Sequence, residues 1–108
     1  MKEAELVIAP VSGEVKRDAI AVTASAGTLI TERPGYFTFI SDVEVYILFG
    51  ATALAITDPD ETATSGDGVP YPLAANTPRD FYIDAASAYM KHKGAAIGNL
   101  RYYRSGPG

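Results

Sequence analysis

The chain has 108 residues, 47% of them hydrophobic and 20% charged, a size and balance that suit one domain folded around one core and exclude global disorder. Thirteen acidic residues against nine basic ones leave a formal net charge of -4, the wrong sign for a surface that follows phosphate backbones, so nucleic acid is not an expected partner. Cysteine is absent, which excludes disulfides, thiolate zinc sites and a cysteine nucleophile together.

Residues 1–10 carry alternating acids in place of a basic start and a long apolar run, so they do not read as a secretory signal. No stretch approaches the roughly 18 uninterrupted apolar residues of a membrane helix; the most apolar run, residues 45–56, is cut by Gly50 and Thr52. The expectation is a soluble protein made in the cytoplasm, with no membrane partner. Leu6, Val7 and Ile8 precede Pro10, and residues 1–12 are a candidate arm that adds a strand to a neighbouring subunit.

Beyond the arm, period-two alternation in short runs dominates, separated by Gly, Pro, Asp and Asn, the pattern of half-buried strands joined by turns. Residues 19–24 place Ile20 and Val22 on one face, and residues 27–31 form a second piece rich in β-branched residues, so a hairpin across Ser25 to Gly27 is predicted. A helix over residues 14–22 would put Val15, Ala19 and Val22 together, but it leaves Ile20 off the apolar face and has no cap. Pro34 and Gly35 then mark a type II turn that opens a strand over residues 36–40. Residues 43–49 form a central strand, with Val43, Val45, Ile47 and Phe49 on one face and Glu44, Tyr46 and Leu48 on the other. Residues 79–84, 88–93 and 99–104 supply three more. About eight short antiparallel strands without helices predict an all-β single domain over residues 1–108, a β-sandwich that is jelly-roll-like, with other Greek-key orders open.

Residues 57–72 form a long polar loop, the segment expected to meet a partner. Its Asp58, Asp60, Glu61 and Asp67 suggest a calcium loop, yet Ala63 stands where an EF-hand needs glycine and Val69 where it needs the bidentate glutamate, so an Asx turn is the expectation. His92 is the single histidine, and no acid or serine is placed by spacing to activate it. Nucleophile-elbow, P-loop, dinucleotide and zinc patterns are missing, Ser65 to Gly68 lacks the lysine and helix of a phosphate cradle, and nothing selects a carboxylate pair for glycoside hydrolysis. The expectation is a protein that is not an enzyme and takes neither cofactor nor metal. Lys91, Lys93, Arg101 and Arg104 read as a solvated strand face. Among the tyrosines crowding the C-terminal half, adjacent Tyr102 and Tyr103 must face opposite sides of a strand, one to the core and one to a subunit contact. Candidate interface residues are Leu6, Val7, Ile8, Tyr71, Tyr102 and Tyr103.

From Val45 onward the chain resembles a group of short phage and prophage virion proteins found beside head genes. The likeness is carried by residues 46–50 (YILFG), 63–68 (ATSGDG), 72–83 (PLAANTPRDFYI) and 96–101 (AIGNLR), the last running into Tyr102. It implies a β-sandwich virion component, a capsid decoration or cement protein that sits on the shell as an oligomer, expected as a homotrimer, and contacts the major capsid protein. The chain departs from the pattern at Lys91, His92 and Lys93, where such proteins often continue apolar. A carbohydrate- or receptor-binding module of a head or tail fibre is the alternative, and a small jelly-roll enzyme a more distant one, since one histidine cannot furnish clustered metal ligands.

Overall fold

In the computed structural model, which describes residues 15–66 and 69–107, eight antiparallel strands form two four-stranded sheets. The strands are β1 (Lys16–Ile20), β2 (Thr28–Leu29), β3 (Gly35–Ser41), β4 (Val45–Gly50), β5 (Tyr71–Leu73), β6 (Arg79–Ile83), β7 (Tyr89–Gly94) and β8 (Gly98–Pro107). The first sheet has the order β1-β8-β3-β6 and the second β2-β7-β4-β5. The pairings nest, β1 with β8, β2 with β7, β3 with β6 and β4 with β5, so the chain is one long antiparallel ribbon folded over on itself.

Alternation decides which side chains enter the space between the sheets. Phe37, Phe39, Ile83, Leu100 and Tyr102 come from the first sheet and Val45, Ile47, Leu73 and Met90 from the second, with Ile20 and Ile30, and all join one buried cluster. Phe39 is its centre: it stacks on Tyr102 and meets Phe49 and Phe81 edge-on. The predicted central strand is found in the interior of the second sheet, with Val45 and Ile47 buried as expected.

The hairpin expected between residues 19 and 31 does not form. After β1 the chain crosses to the other sheet, where the Gly94 N–H donates to the Ala21 carbonyl (2.8 Å) and the Ser25 N–H to the His92 carbonyl (2.8 Å). It then enters the second sheet as β2, so its two halves pair with β8 and β7. Val22, predicted inward, is 54% exposed in this crossing. Gly94 makes the corner compact, because any Cβ there would run into the Ile20 Cγ2. β5 was hidden from sequence reading by Pro72, and it occupies a sheet edge, where a missing N–H costs no ladder bond.

Candidate functional site

The two sheets differ in what lies over their outer faces. In the second sheet, Tyr46 and Leu48 of β4 and Lys91 and Lys93 of β7 point away from the core, and the segment after β4 folds back over them. Ile56 is buried there outside the main core, seated where Gly50 has no side chain; a Cβ on Gly50 would come within 2.6 Å of the Ile56 Cγ1. Farther along, Lys91 Nζ lies 3.5 Å from an Asp58 carboxylate oxygen and Lys93 Nζ 3.0 Å from a Glu61 oxygen. Residues 51–61 thus form a strap held to β7 by two ion pairs. Burial, then the hydrogen bond and charge of Glu44 and the charge of Glu61, raise the Tyr46 phenol above its ordinary range.

The polar loop therefore has a structural use in its first half. Asp60 accepts from the Thr62 N–H (2.9 Å) and hydroxyl (2.7 Å), the expected Asx turn, and these two bonds are the main reason its carboxyl is held low. Among the described residues no group of three or more metal-ligating side chains comes together. Replacing Lys91 and Lys93 together by alanine is expected to change the thermal midpoint little, since ion pairs whose carboxylates are open to solvent stabilise little. Limited proteolysis should nonetheless cut within residues 57–66 several times faster, and equal cleavage rates would show that the strap is held by other contacts.

The first sheet carries no such cover among the described residues. Its outer face runs from Arg17 on β1 through Arg101 and Tyr103 on β8 and Tyr36, Thr38 and Ile40 on β3 to Asp80 and Tyr82 on β6, as the registers require. Tyr36 is 50% and Tyr82 46% exposed, and their rings meet edge-to-face at 5.1 Å. Below them the Thr38 hydroxyl donates to an Asp80 carboxylate oxygen (2.7 Å). A tyrosine pair beside two exposed arginines is the composition that protein contact surfaces favour, because such side chains combine apolar area with directional polar groups.

Tyr103 lies half-buried on this face, as expected of one member of its pair. Tyr102 is the other member and is corrected as an interface residue: it is 3% exposed and stacks under Phe39, and burial, followed by the Asp18 charge, pushes its phenol up to about 12. Tyr71 closes the open side of the sandwich, its ring edge-on to Phe81 at 5.1 Å, and is 39% exposed. Leu6, Val7 and Ile8, with the rest of the candidate arm, lie outside the described residues. Tyr36 and Tyr82 were missed. Their alternation with buried Phe37, Phe81 and Ile83 was the available signal, since on a strand the neighbour of a core residue faces outward.

The basic residues near the C-terminus do not form one solvated face. Lys91 and Lys93 hold the strap, Arg101 lies on the tyrosine face, and Arg104 folds over the Phe37 ring at 4.8 Å. The Arg104 guanidinium donates to the carbonyls of Pro34 (2.8 Å) and Arg33 (2.9 Å) and to the Thr31 hydroxyl (3.2 Å), fixing the turn that leads into β3.

His92, which spacing left without a partner, has one. Its Nε2 lies 3.2 Å from the Asp18 carboxylate oxygen across the two sheets, and the ring is 1% exposed. The hydrogen bond from His92 is the main cause holding the Asp18 carboxyl below its usual range, opposed by burial and helped by Thr28. Nδ1 is buried without a partner. A nucleophile relay needs the second ring nitrogen to face a hydroxyl, and no described hydroxyl meets Nδ1; Ser25, on the neighbouring segment, meets the His92 backbone instead, its Oγ accepting from that N–H at 3.0 Å. The geometry is that of a clasp joining the sheets. Lys91, His92 and Lys93 thus alternate strap, core and strap, which accounts for the charged run in a central strand.

Compared with known proteins, the chain matches no family model, no curated protein and no solved structure.

Proposed function

We propose that this protein works by contact, as a structural component of a virion shell of the decoration or cement type, and that the outer face of the first sheet is its contact surface. The observation that carries the reading is the asymmetry of the sandwich. The chain covers the outer face of one sheet with its own strap and leaves Tyr36, Tyr82, Arg17 and Arg101 uncovered on the other among the described residues. The nested strand order supports a jelly roll, an architecture used by shell proteins and by lectins, and the reading draws on that analogy of architecture. Self-association into a trimer and binding to the major capsid protein follow from the resemblance stated above.

The test is cosedimentation of the purified full chain with expanded phage shells assembled from a major capsid protein, the partner that the reading assigns, together with its native mass. The protein is expected to associate and to bind, and Tyr36→Ser with Tyr82→Ser to weaken binding about tenfold or more, the loss seen when aromatic anchors of an interface are removed. A chain that stays monomeric and pellets with no shell would overturn the reading. The second reading, a carbohydrate- or receptor-binding module, is favoured by a different feature, a cleft at one end of the sandwich.

A further inference from the structure

At that end the turn before β3 and the connection from β6 to β7 face each other across a cleft of about 370 Å³. This is at the small end of the range of ligand sites, about 300–1,000 Å³. Leu29, Pro34 and Tyr89 contribute apolar lining, and Glu32, Arg33 and Asp84 supply polar groups.

Both walls are fixed without a ligand. On one side the Thr31 hydroxyl donates to the Arg33 carbonyl and accepts from the Arg33 N–H, while Arg104 holds the carbonyls of Arg33 and Pro34. On the other, Asp84 caps a short 3-10 turn over Ala85–Ser87: one of its oxygens accepts from the Ala86 N–H (3.0 Å), and the Ser87 hydroxyl accepts from the Asp84 N–H (2.9 Å). The Ile30 N–H donates to the Ala88 carbonyl (2.7 Å) and ties the walls together. Among the described residues the side chains of Glu32 and Arg33 make no hydrogen bond or ion pair, so a preformed cleft presents an unused donor fork, an unused acceptor and an aromatic ring. A ligand there meets walls whose backbone is already fixed and has to order only the Glu32 and Arg33 side chains.

The charges narrow its chemistry. Glu32 and Asp84 stand against Arg33 in the lining, with the Arg104 guanidinium behind one wall on the carbonyls of Arg33 and Pro34, so the cleft offers no excess of positive charge to select phosphate, sulfate or carboxylate ligands. A guanidinium offers donors and a carboxylate acceptors in planar arrays, a combination that suits a ligand whose hydroxyls both donate and accept. An aromatic ring beside them suits the apolar face of a sugar ring.

We propose that this cleft binds a neutral saccharide, one pyranose ring packed on Tyr89 with its hydroxyls held by Arg33, Glu32 and Asp84. The proposal rests on the second reading above and gives it a ligand class and a place. It is tested by titrating the ¹⁵N-labelled full chain with glucose, galactose, mannose and N-acetylglucosamine, with short oligomers of each, and with inorganic phosphate and glycine as charged controls. At least one sugar is expected to shift the amides of residues 31–34 and 84–89 saturably in the millimolar range. A tighter-binding oligomer would identify a chain end, and equal affinity a free monosaccharide. Arg33→Ala and Glu32→Gln should each weaken binding about tenfold with the thermal midpoint unchanged, whereas Tyr36→Ser with Tyr82→Ser should not affect it. No saturable shift with any sugar, or equal shifts with phosphate or glycine, would overturn the proposal. Sugar shifts confined to Tyr36 and Tyr82 would overturn the cleft and leave the second reading standing. Shell binding with an empty cleft would reject the cleft and support the cement reading.

Discussion

Phe39→Ala is expected to lower the free energy of unfolding by about 3–5 kcal/mol, the usual cost of deleting a fully buried aromatic ring. Phe39 is 0% exposed at the middle of β3 and touches aromatic rings from both sheets: Tyr102 stacked at 5.2 Å, Phe81 at 5.4 Å and Phe49 at 6.1 Å. Tyr102 sits on an interior strand paired on both sides, and Phe81 and Phe49 are each held by a ladder on one side, so these neighbours close only part of the space that alanine leaves. The loss combines transfer energy with an uncollapsed cavity. Phe39→Leu keeps most of the volume and should cost much less. Urea unfolding of the three proteins measures it, and a loss below about 1 kcal/mol for alanine would mean that the two sheets repack.

Asp18→Ala should cost about 3 kcal/mol, although Asp18 is a partly accessible residue on an edge strand. The expense lies in what it leaves behind: a histidine 1% exposed, with Nε2 newly unpaired beside an Nδ1 that already lacks a partner. The double variant Asp18→Leu with His92→Met, which removes the polar groups from both sides, should recover most of the loss, because a well-packed apolar pair replaces a buried polar one at little net cost. Failure of the double variant to recover would locate the effect in β1 pairing and not in the clasp.

The pH dependence has a defined sign. In the folded chain the Asp18 carboxyl is held below its ordinary value of 3.8. A group depressed on folding contributes stability that is fully present above its unfolded value and is lost as pH falls through its folded one. The stability gap between the natural chain and Asp18→Asn is therefore expected to shrink as pH drops from about 5 to about 2, and a gap that stays constant would show that the charge of Asp18 contributes nothing.

How far the residues alone reach is clearest in three places. Val45 and Ile47 alternate with Tyr46 and Leu48, and their burial follows from that local pattern, because a strand turns successive side chains to opposite faces whatever it pairs with. β1 is harder: residues 16–20 include Lys16, Arg17 and Asp18, charges that argue against an inward face, so the predicted strand began three residues late and the acid at the start of the clasp was passed over. β2 has only two residues, and which sheet it joins is decided by backbone bonds to β7 and not by its own side chains.

By itself, then, the sequence determined the all-β class, the main inward and outward positions, the Asx turn in the long loop and the opposite facing of Tyr102 and Tyr103. Each rests on backbone geometry over a few neighbouring residues, and so can be read locally. The tertiary structure alone decided that His92 meets Asp18 across the core, that Lys91 and Lys93 draw the strap over one sheet, that Tyr36 and Tyr82 remain open on the other, and that residues 31–34 and 84–89 meet at a cleft. These are contacts between segments far apart in the chain. They depend on strand order and register, which emerge from the summed burial of both sheets and leave no signature in any short stretch of residues.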